Sequence, residues 1–432
     1  MTKRWLIALG LLASVLSWQA RAELVIEITG GSEAALPIAL VPFGSEGFTA
    51  PLDMSEVIRN DLAGSGRFSP LPKQDLISQP HEQAEVNFAD WRLLRSEGLL
   101  VGKVSSVDGQ TYDVQFQLFD VYKAQQLVGK RYQVPASGLR RLAHQIADQV
   151  YQALTGEIGV FATRLAFVTV INNADGSKRF ALQVSDADGA NPRTVLQSKE
   201  PIMSPNWSPD GDRLSYVSFE NGTTEVFVQE MSSGRRDSVA AFKGINSAPS
   251  WSPDGKKLAL TLSKGGNPEI YVLELVSGNL SRVTHNSQSI DTEAVWLPNS
   301  NELLFTSDRG GRPQIYKVSV DGGTASRVTF EGNYNSSPDV SPDGRYLAMV
   351  HGISGKYYIA VQDLASGAVK VLTETGRDES PSFAPNSRMI LYATERNGKG
   401  VLAAVSVDGR IKQRLGEAGI DVREPAWSPI RK

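Results

Sequence analysis

The sequence predicts a mainly β protein, with a C-terminal six-bladed β-propeller preceded by a small α+β domain. Three observations carry this expectation. A unit recurs after residue 160 at a spacing of about 44 residues. Each unit holds four strand-like runs. The two ends of the repeated region are incomplete, and each supplies what the other lacks. A fixed period of 40–45 residues with four strands per unit is the signature of propeller blades.

The punctuation of the repeat is Trp207-Ser-Pro-Asp-Gly211, which returns as Trp251-Ser-Pro-Asp-Gly255. It weakens to Trp296-Leu-Pro-Asn-Ser300, recurs as Val340-Ser-Pro-Asp-Gly344, weakens to Phe383-Ala-Pro-Asn-Ser387, and ends as Trp427-Ser-Pro429. Pro in second place and Gly in fourth suit a type I turn, and Ser and Asp supply turn hydrogen bonds. The apolar residue before each turn ends a buried strand. A second strand follows (Leu214–Phe219, Leu258–Leu262), then an alternating, half-buried third (Glu225–Glu230, Glu269–Leu275). Pairs such as Ser233-Gly234 and Asp321-Gly322 then mark a tight hairpin into a more polar fourth strand.

The ends predict closure. Arg164–Ile171, Phe180–Ser185 and Arg193–Leu196 supply strands two to four without a first, and Ala426–Ser428 supplies a first strand alone. Joining them completes a sixth blade and removes two exposed edges. The Trp residues and the Ser-Pro-Asp-Gly turns are therefore read as core and scaffold, not as a catalytic motif.

Upstream, residues 23–155 lack the repeat and form the α+β domain; residues 156–161 are a linker and 162–432 the propeller. Leu36–Phe43 reads as a buried strand, and Ser55–Leu62 and Trp91–Ser96 as helical. Leu99–Val107, Asp108-Gly109 and Tyr112–Phe119 have a hairpin pattern. Leu139, Leu142, Ala143, Ile146, Val150 and Leu154 fall at helical spacing, with Gly156 as C-cap.

Residues 1–22 read as a secretion signal: Lys3 and Arg4, the apolar run Leu6–Trp18, and a small-x-small cleavage site at Ala20-Arg21-Ala22. Cleavage removes three of the 44 basic residues and no acid, leaving 41 against 47 and a net charge of −6. Nucleic acid is excluded as a partner by that balance. Zero cysteine excludes disulfides, thiolate zinc sites and a lipid-anchored N-terminus. No apolar run is long enough for a transmembrane span, so no direct membrane insertion is expected. A disulfide-free secreted chain fits the bacterial periplasm.

Catalytic chemistry is hard to find. The sequence has no G-x-S-x-G elbow and no phosphate-binding Gly-rich loop. Its four histidines, His81, His144, His285 and His351, form no H-x-H or H-x-x-x-H pair, and are expected to be solvated or hydrogen-bonded. The loops entering the first strands, at the mouth of the central channel, are polar and acidic: 199–204, 244–248, 291–293, 333–337, 377–379 and 421–424. Convergent loops on a rigid scaffold are where function concentrates. These suit a cation such as Ca²⁺ in the channel, a basic loop of a partner protein, or plain solvation. An enzymatic alternative is a metal-dependent hydrolase or a glycan-binding propeller built on the same mouth.

The stretches Leu118-Phe119-Asp120-Val121, Leu127-Val128-Gly129-Lys130-Arg131-Tyr132, His144-Gln-Ile-Ala-Asp-Gln-Val-Tyr151 and Leu154-Thr155-Gly156-Glu157, followed by six such blades, resemble the TolB family of the Tol–Pal system of Gram-negative bacteria. The resemblance covers the whole chain. It implies a non-enzymatic periplasmic component supporting outer-membrane integrity and constriction at division, with no cofactor. It implies binding of the peptidoglycan-associated lipoprotein, Pal, at the channel mouth, and places there Met203, Ser204, Ile245, Asn246, Ser247, Ala248, Thr292, Glu293, Asn335, Ser336, Asp378, Glu379, Arg423 and Glu424. It implies binding of TolA through the mature N-terminal segment, Glu23, Leu24, Val25, Ile26, Glu27 and Ile28, whose alternation suits a strand added to another sheet edge. Colicins and other outer-membrane proteins are further partners that the resemblance brings.

Overall fold

The structure is a computed structural model that describes residues 25–28, 35–45, 47–173, 175–415 and 420–431. The proposed signal segment, Glu23 and Leu24 lie outside the described residues.

Residues 35–155 build a mixed sheet in which Leu36–Leu40 runs parallel to both Phe68–Pro70 and Gly98–Ser106. From Gly98 the chain continues as an antiparallel meander, Gly98–Ser106, Thr111–Asp120 and Gln125–Pro135. Helices α1 (Met54–Gly64) and α3 (Leu139–Thr155) cover one face. Ile38, Leu40, Leu100, Phe116 and Leu118 pack there on Ile58, Leu62, Leu142, Ile146 and Val150. Residues of opposite parity, Ala39, Leu99 and Val101, point to the other face and pack on Trp91 of α2 (Phe88–Leu93). The central strands are thus buried on both faces, which is why they read as continuous apolar runs. Asp53 caps α1 by accepting the Glu56 N–H at 3.1 Å, and α3 stops at Gly156, left-handed at φ 76°. The strand Gln125–Pro135 was not expected from the sequence. Only Val128, Tyr132 and Val134 pack on the core, so its alternation is faint.

The propeller has six four-stranded blades. Their first strands are Ile202–Trp207, Asn246–Trp251, Asp291–Trp296, Asn335–Val340, Glu379–Phe383 and Asp421–Trp427, for blades 1 to 6. Blade 6 closes the ring as expected. Asp421–Trp427 pairs antiparallel with Arg164–Asn172, setting Ala426 against Ala166 and Trp427 against Leu165.

Three of the four repeated tryptophans fasten a blade to the one before through their indoles. The indole N–H groups of Trp207, Trp251 and Trp296 donate to the carbonyls of Ala426, Asn206 and Ser250 at 3.0–3.2 Å. Arg164 and Arg213 stack over Trp207 and Trp251 at 4.6 and 4.5 Å. Gly211, Gly255 and Gly344 close their turns by donating to the serine carbonyl three residues back, at positive φ. Trp427, partly buried, donates to the Thr163 hydroxyl at 2.8 Å instead.

The first domain sits at the turn end of blade 5 and beside blade 6. Arg388 pairs with Glu157 at 2.7 Å, and Asn386 donates to the Ile158 carbonyl. Arg140 of α3 meets Asp186 and Asp188. The strand Val25–Ile28 runs antiparallel to Ile411–Leu415, giving blade 5 a fifth, outermost strand.

Candidate functional site

The mouth is built by one backbone irregularity repeated six times. Ser204, Ala248, Glu293, Ser337, Ser380 and Glu424, one per blade, all adopt left-handed φ between 47° and 57°. At each the ladder to the second strand skips, as between Met203 and Asn206 or Thr292 and Val295. Five are followed by Pro and one by Ala294. These bulges belong to the first strands themselves, so part of what reads in sequence as entering loop is strand. A non-Gly residue in this conformation costs about 1–3 kcal/mol and persists where its surroundings over-determine it, typically at functional sites. The six bulges ring a channel cavity of about 150 Å³.

Two of the ring residues are glutamates on opposite blades. Glu293 reaches blade 4, its Oε2 accepting the Ser337 N–H at 2.9 Å and the Thr306 hydroxyl at 2.8 Å. Glu424 accepts the Ser204 N–H at 3.4 Å. Burial, with the like charges of Glu379 and Glu293, pushes the Glu424 carboxyl up to about 7. Burial also raises Glu379, an effect that Arg423 opposes. One step deeper, Asp339 accepts the Phe383 N–H at 2.6 Å and is pushed to about 7 by burial. These carboxylates are dispersed around the ring. Among the described residues, the one trio of acidic or histidine side chains with donor atoms within 4.8 Å of each other lies elsewhere.

The residues singled out in the sequence divide in two. Met203 and Ile245 are exposed (40% and 44%), as is Arg423, while Ser204, Ser247, Ala248, Thr292, Glu293, Glu379 and Glu424 are partly open around the rim. Asn246, Asn335, Ser336 and Asp378 are buried. Asn246 accepts the Phe242 N–H and donates to the Phe242 and Thr224 carbonyls. Asn335 bonds Gln314 and His351, and Asp378 accepts the Thr373 and Thr375 hydroxyls. Asn246, Asn335 and Asp378 thereby brace their loops, which polarity alone did not reveal, while Ser336 and Asp378 line a cavity at the mouth beside Glu379 and Arg423. The sequence reading missed Ile290, Ile353, Tyr357 and Ile420, which are also exposed. Together with Met203 and Ile245 they give the rim an interrupted apolar character, the kind that marks protein-binding surfaces. A signal existed in isoleucines standing just before Asp291 and Asp421, where a polar loop has no need of them.

The N-terminal strand lies well away from the mouth. It pairs Val25 with Arg414, Ile26 with Gln413, Glu27 with Lys412 and Ile28 with Ile411. No helix among the described residues is long and apolar enough to cross a membrane.

Comparison with known proteins accounts for both parts of the chain. Residues 24–127 match the TolB amino-terminal domain and residues 151–431 the TolB beta propeller domain. The chain is 62% identical to the Tol-Pal system protein TolB of Nitrosococcus oceani, covering 99% of each. It is 49% identical to that of Xanthomonas campestris pv. campestris, covering 99% of this chain and 98% of the relative. The crystal structure of TolB from Acinetobacter baumannii superposes with a TM-score of 0.86 at 40% identity, covering 95% of this chain and all of the other. With both domains matched in order and the likeness running the full length, this chain belongs to the TolB family of Tol-Pal system proteins.

Proposed function

We propose that this protein is a non-enzymatic adaptor of the periplasm. It takes the peptidoglycan-associated lipoprotein at the channel mouth and TolA on its N-terminal segment, and serves outer-membrane integrity and constriction at division. The observation that carries the reading is the rim itself: exposed Met203, Ile245, Ile290 and Ile353 around partly buried carboxylates, a mixed surface suited to a protein. The side chains that meet the lipoprotein are Met203, Ser204, Ile245, Ser247, Ala248, Thr292, Glu293, Ser336, Asp378, Glu379, Arg423 and Glu424, while Asn246 and Asn335 stand behind them and brace the same loops.

Blade 5 links the two ends. Its first strand opens at Glu379 in the mouth, its turn holds Glu157 through Arg388, and its outer edge carries Val25–Ile28. A strand docked on a sheet edge can exchange for another edge, and release of Val25–Ile28 would offer it to TolA. Linkage between lipoprotein at the mouth and the docked strand of about 1–3 kcal/mol would be ordinary for such a coupling.

The test is capture from solution. Thr292→Arg should abolish lipoprotein pull-down while leaving thermal unfolding nearly unchanged, and full capture by that variant would sink the mouth assignment. Deletion of residues 23–33 should spare lipoprotein capture and remove TolA binding.

A further inference from the structure

At the junction of the two domains, α3 carries a line of polar residues one turn apart: Arg140, His144 and Asp148. Arg140 donates from Nε to Asp186 at 3.2 Å and from Nη2 to Asp188, both in the propeller. Asp188 also accepts the Ala190 N–H through Oδ1 at 3.0 Å. His144 is 2% exposed, and its Nδ1 is 2.7 Å from Asp61 Oδ2 on α1. Its Nε2 is enclosed and has no partner. A buried polar atom without a partner is rare and calls for a ligand or a water.

The surroundings favour a cation. One donor atom each from Asp61, His144 and Asp188 lies within 4.8 Å of the others. Asp148 is close by, accepting the Phe161 and Ala162 N–H groups. Asp186 and Asp188 thus meet Arg140, while Asp61 and Asp188 bring carboxylates close to His144. A carboxylate on Nδ1 fixes the tautomer that leaves the Nε2 lone pair free, the arrangement found behind histidine metal ligands. A cavity of about 230 Å³ between the domains is lined by Asp61 and Asp188.

We propose that His144 Nε2 and the Asp188 carboxylate are the protein ligands of a zinc-class divalent cation that ties the first domain to the propeller. Asp61 orients the imidazole and Arg140 orients Asp188, while water completes the shell. An imidazole donor selects borderline ions such as Zn²⁺ or Ni²⁺ over Ca²⁺ and Mg²⁺, which prefer all-oxygen shells.

The experiment is calorimetric titration of chelator-treated full-length protein at pH 7.5 with ZnCl₂ and, separately, CaCl₂, read beside thermal melts. The expected result is one Zn²⁺ bound and a raised melting temperature, with affinity at least tenfold weaker in Asp188→Asn and in His144→Gln. Asp188→Asn keeps an oxygen for Arg140 and Ala190, so it provides the test if the buried His144→Gln misfolds. Absence of Zn²⁺ binding by the wild-type chain overturns the proposal and leaves a water at Nε2. Unchanged Zn²⁺ binding by Asp188→Asn overturns it equally, because the ion would then sit on another histidine.

Discussion

Glu293 of blade 3 holds Ser337 of blade 4 twice: its Oε2 accepts the Ser337 N–H at 2.9 Å and its Oε1 the Ser337 hydroxyl at 3.1 Å. Both residues are left-handed bulges, so one ring position braces the next. Glu293→Ala removes the acceptor of the Ser337 and Thr306 hydroxyls and leaves the Ser337 N–H only the Thr306 Oγ1 at 3.2 Å, and should destabilise by roughly 2 kcal/mol. Glu293→Gln, which can still accept at Oε1, should lose less than half of that. Urea unfolding of the two variants measures the difference, and equal losses would show that shape, not acceptance, is what Glu293 supplies.

The opposite glutamate should give the mouth a pH dependence. The Glu424 carboxyl is raised from 4.5 to about 7 in the folded chain, so the folded state holds this proton more tightly than the unfolded one. Its contribution is therefore stabilising at low pH and is lost as pH rises through about 4.5 to 7. Glu424→Gln should match wild type near pH 4.5 and be more stable at pH 8, by at most about 3 kcal/mol. Melting curves across that range test it, and a variant that gains nothing at pH 8 would remove burial as the cause.

Closure rests on Asp421–Trp427. Deleting residues 421–432 removes that strand and the Ser428 hydroxyl that accepts the Arg164 N–H at 2.8 Å. It also uncovers the long edge of Arg164–Asn172. An exposed edge of that length invites aggregation. The truncated chain should melt about 4–16 °C lower, since each kcal/mol of a loss of about 2–4 kcal/mol shifts a large domain by about 2–4 °C. Limited proteolysis should find its first new cut near residue 172, and a resistant truncated chain would mean that the ring is held by blade packing alone.

Where the repeat weakens, a local improvement is available. Ser300, like Ser387, stands where three other turns carry Gly211, Gly255 and Gly344, and holds φ 58°. Its N–H still closes the turn on the Leu297 carbonyl at 3.0 Å. Ser300→Gly relieves a left-handed cost of about 1–2 kcal/mol, partly offset by the greater freedom of glycine in the unfolded chain. A net gain of about 0.5–1 kcal/mol is expected in chemical denaturation, and a loss would mean that the Ser300 side chain has a role in the turn.

The sequence by itself determined the blades, their number and their closure. Pro209, Asp210 and Gly211, and their counterparts, encode a turn through their own backbone preferences, and the apolar runs between turns encode strands through alternation. The helix Leu139–Thr155 was legible for the same reason, since its buried side repeats at 3.6 residues. Tertiary structure alone decided which polar residues face inward. Asn246 and Asp378 look like rim residues in sequence, yet they satisfy backbone and hydroxyl groups that only the folded loops bring to them. His144 meets Asp61 across 83 residues, and Arg140 meets Asp188 across a domain boundary. The seat of Val25–Ile28 on Ile411–Leu415 joins the two ends of the chain. Local preferences are written in neighbouring residues, whereas a hydrogen-bond partner, a buried charge or a sheet edge exists only once distant segments are packed together.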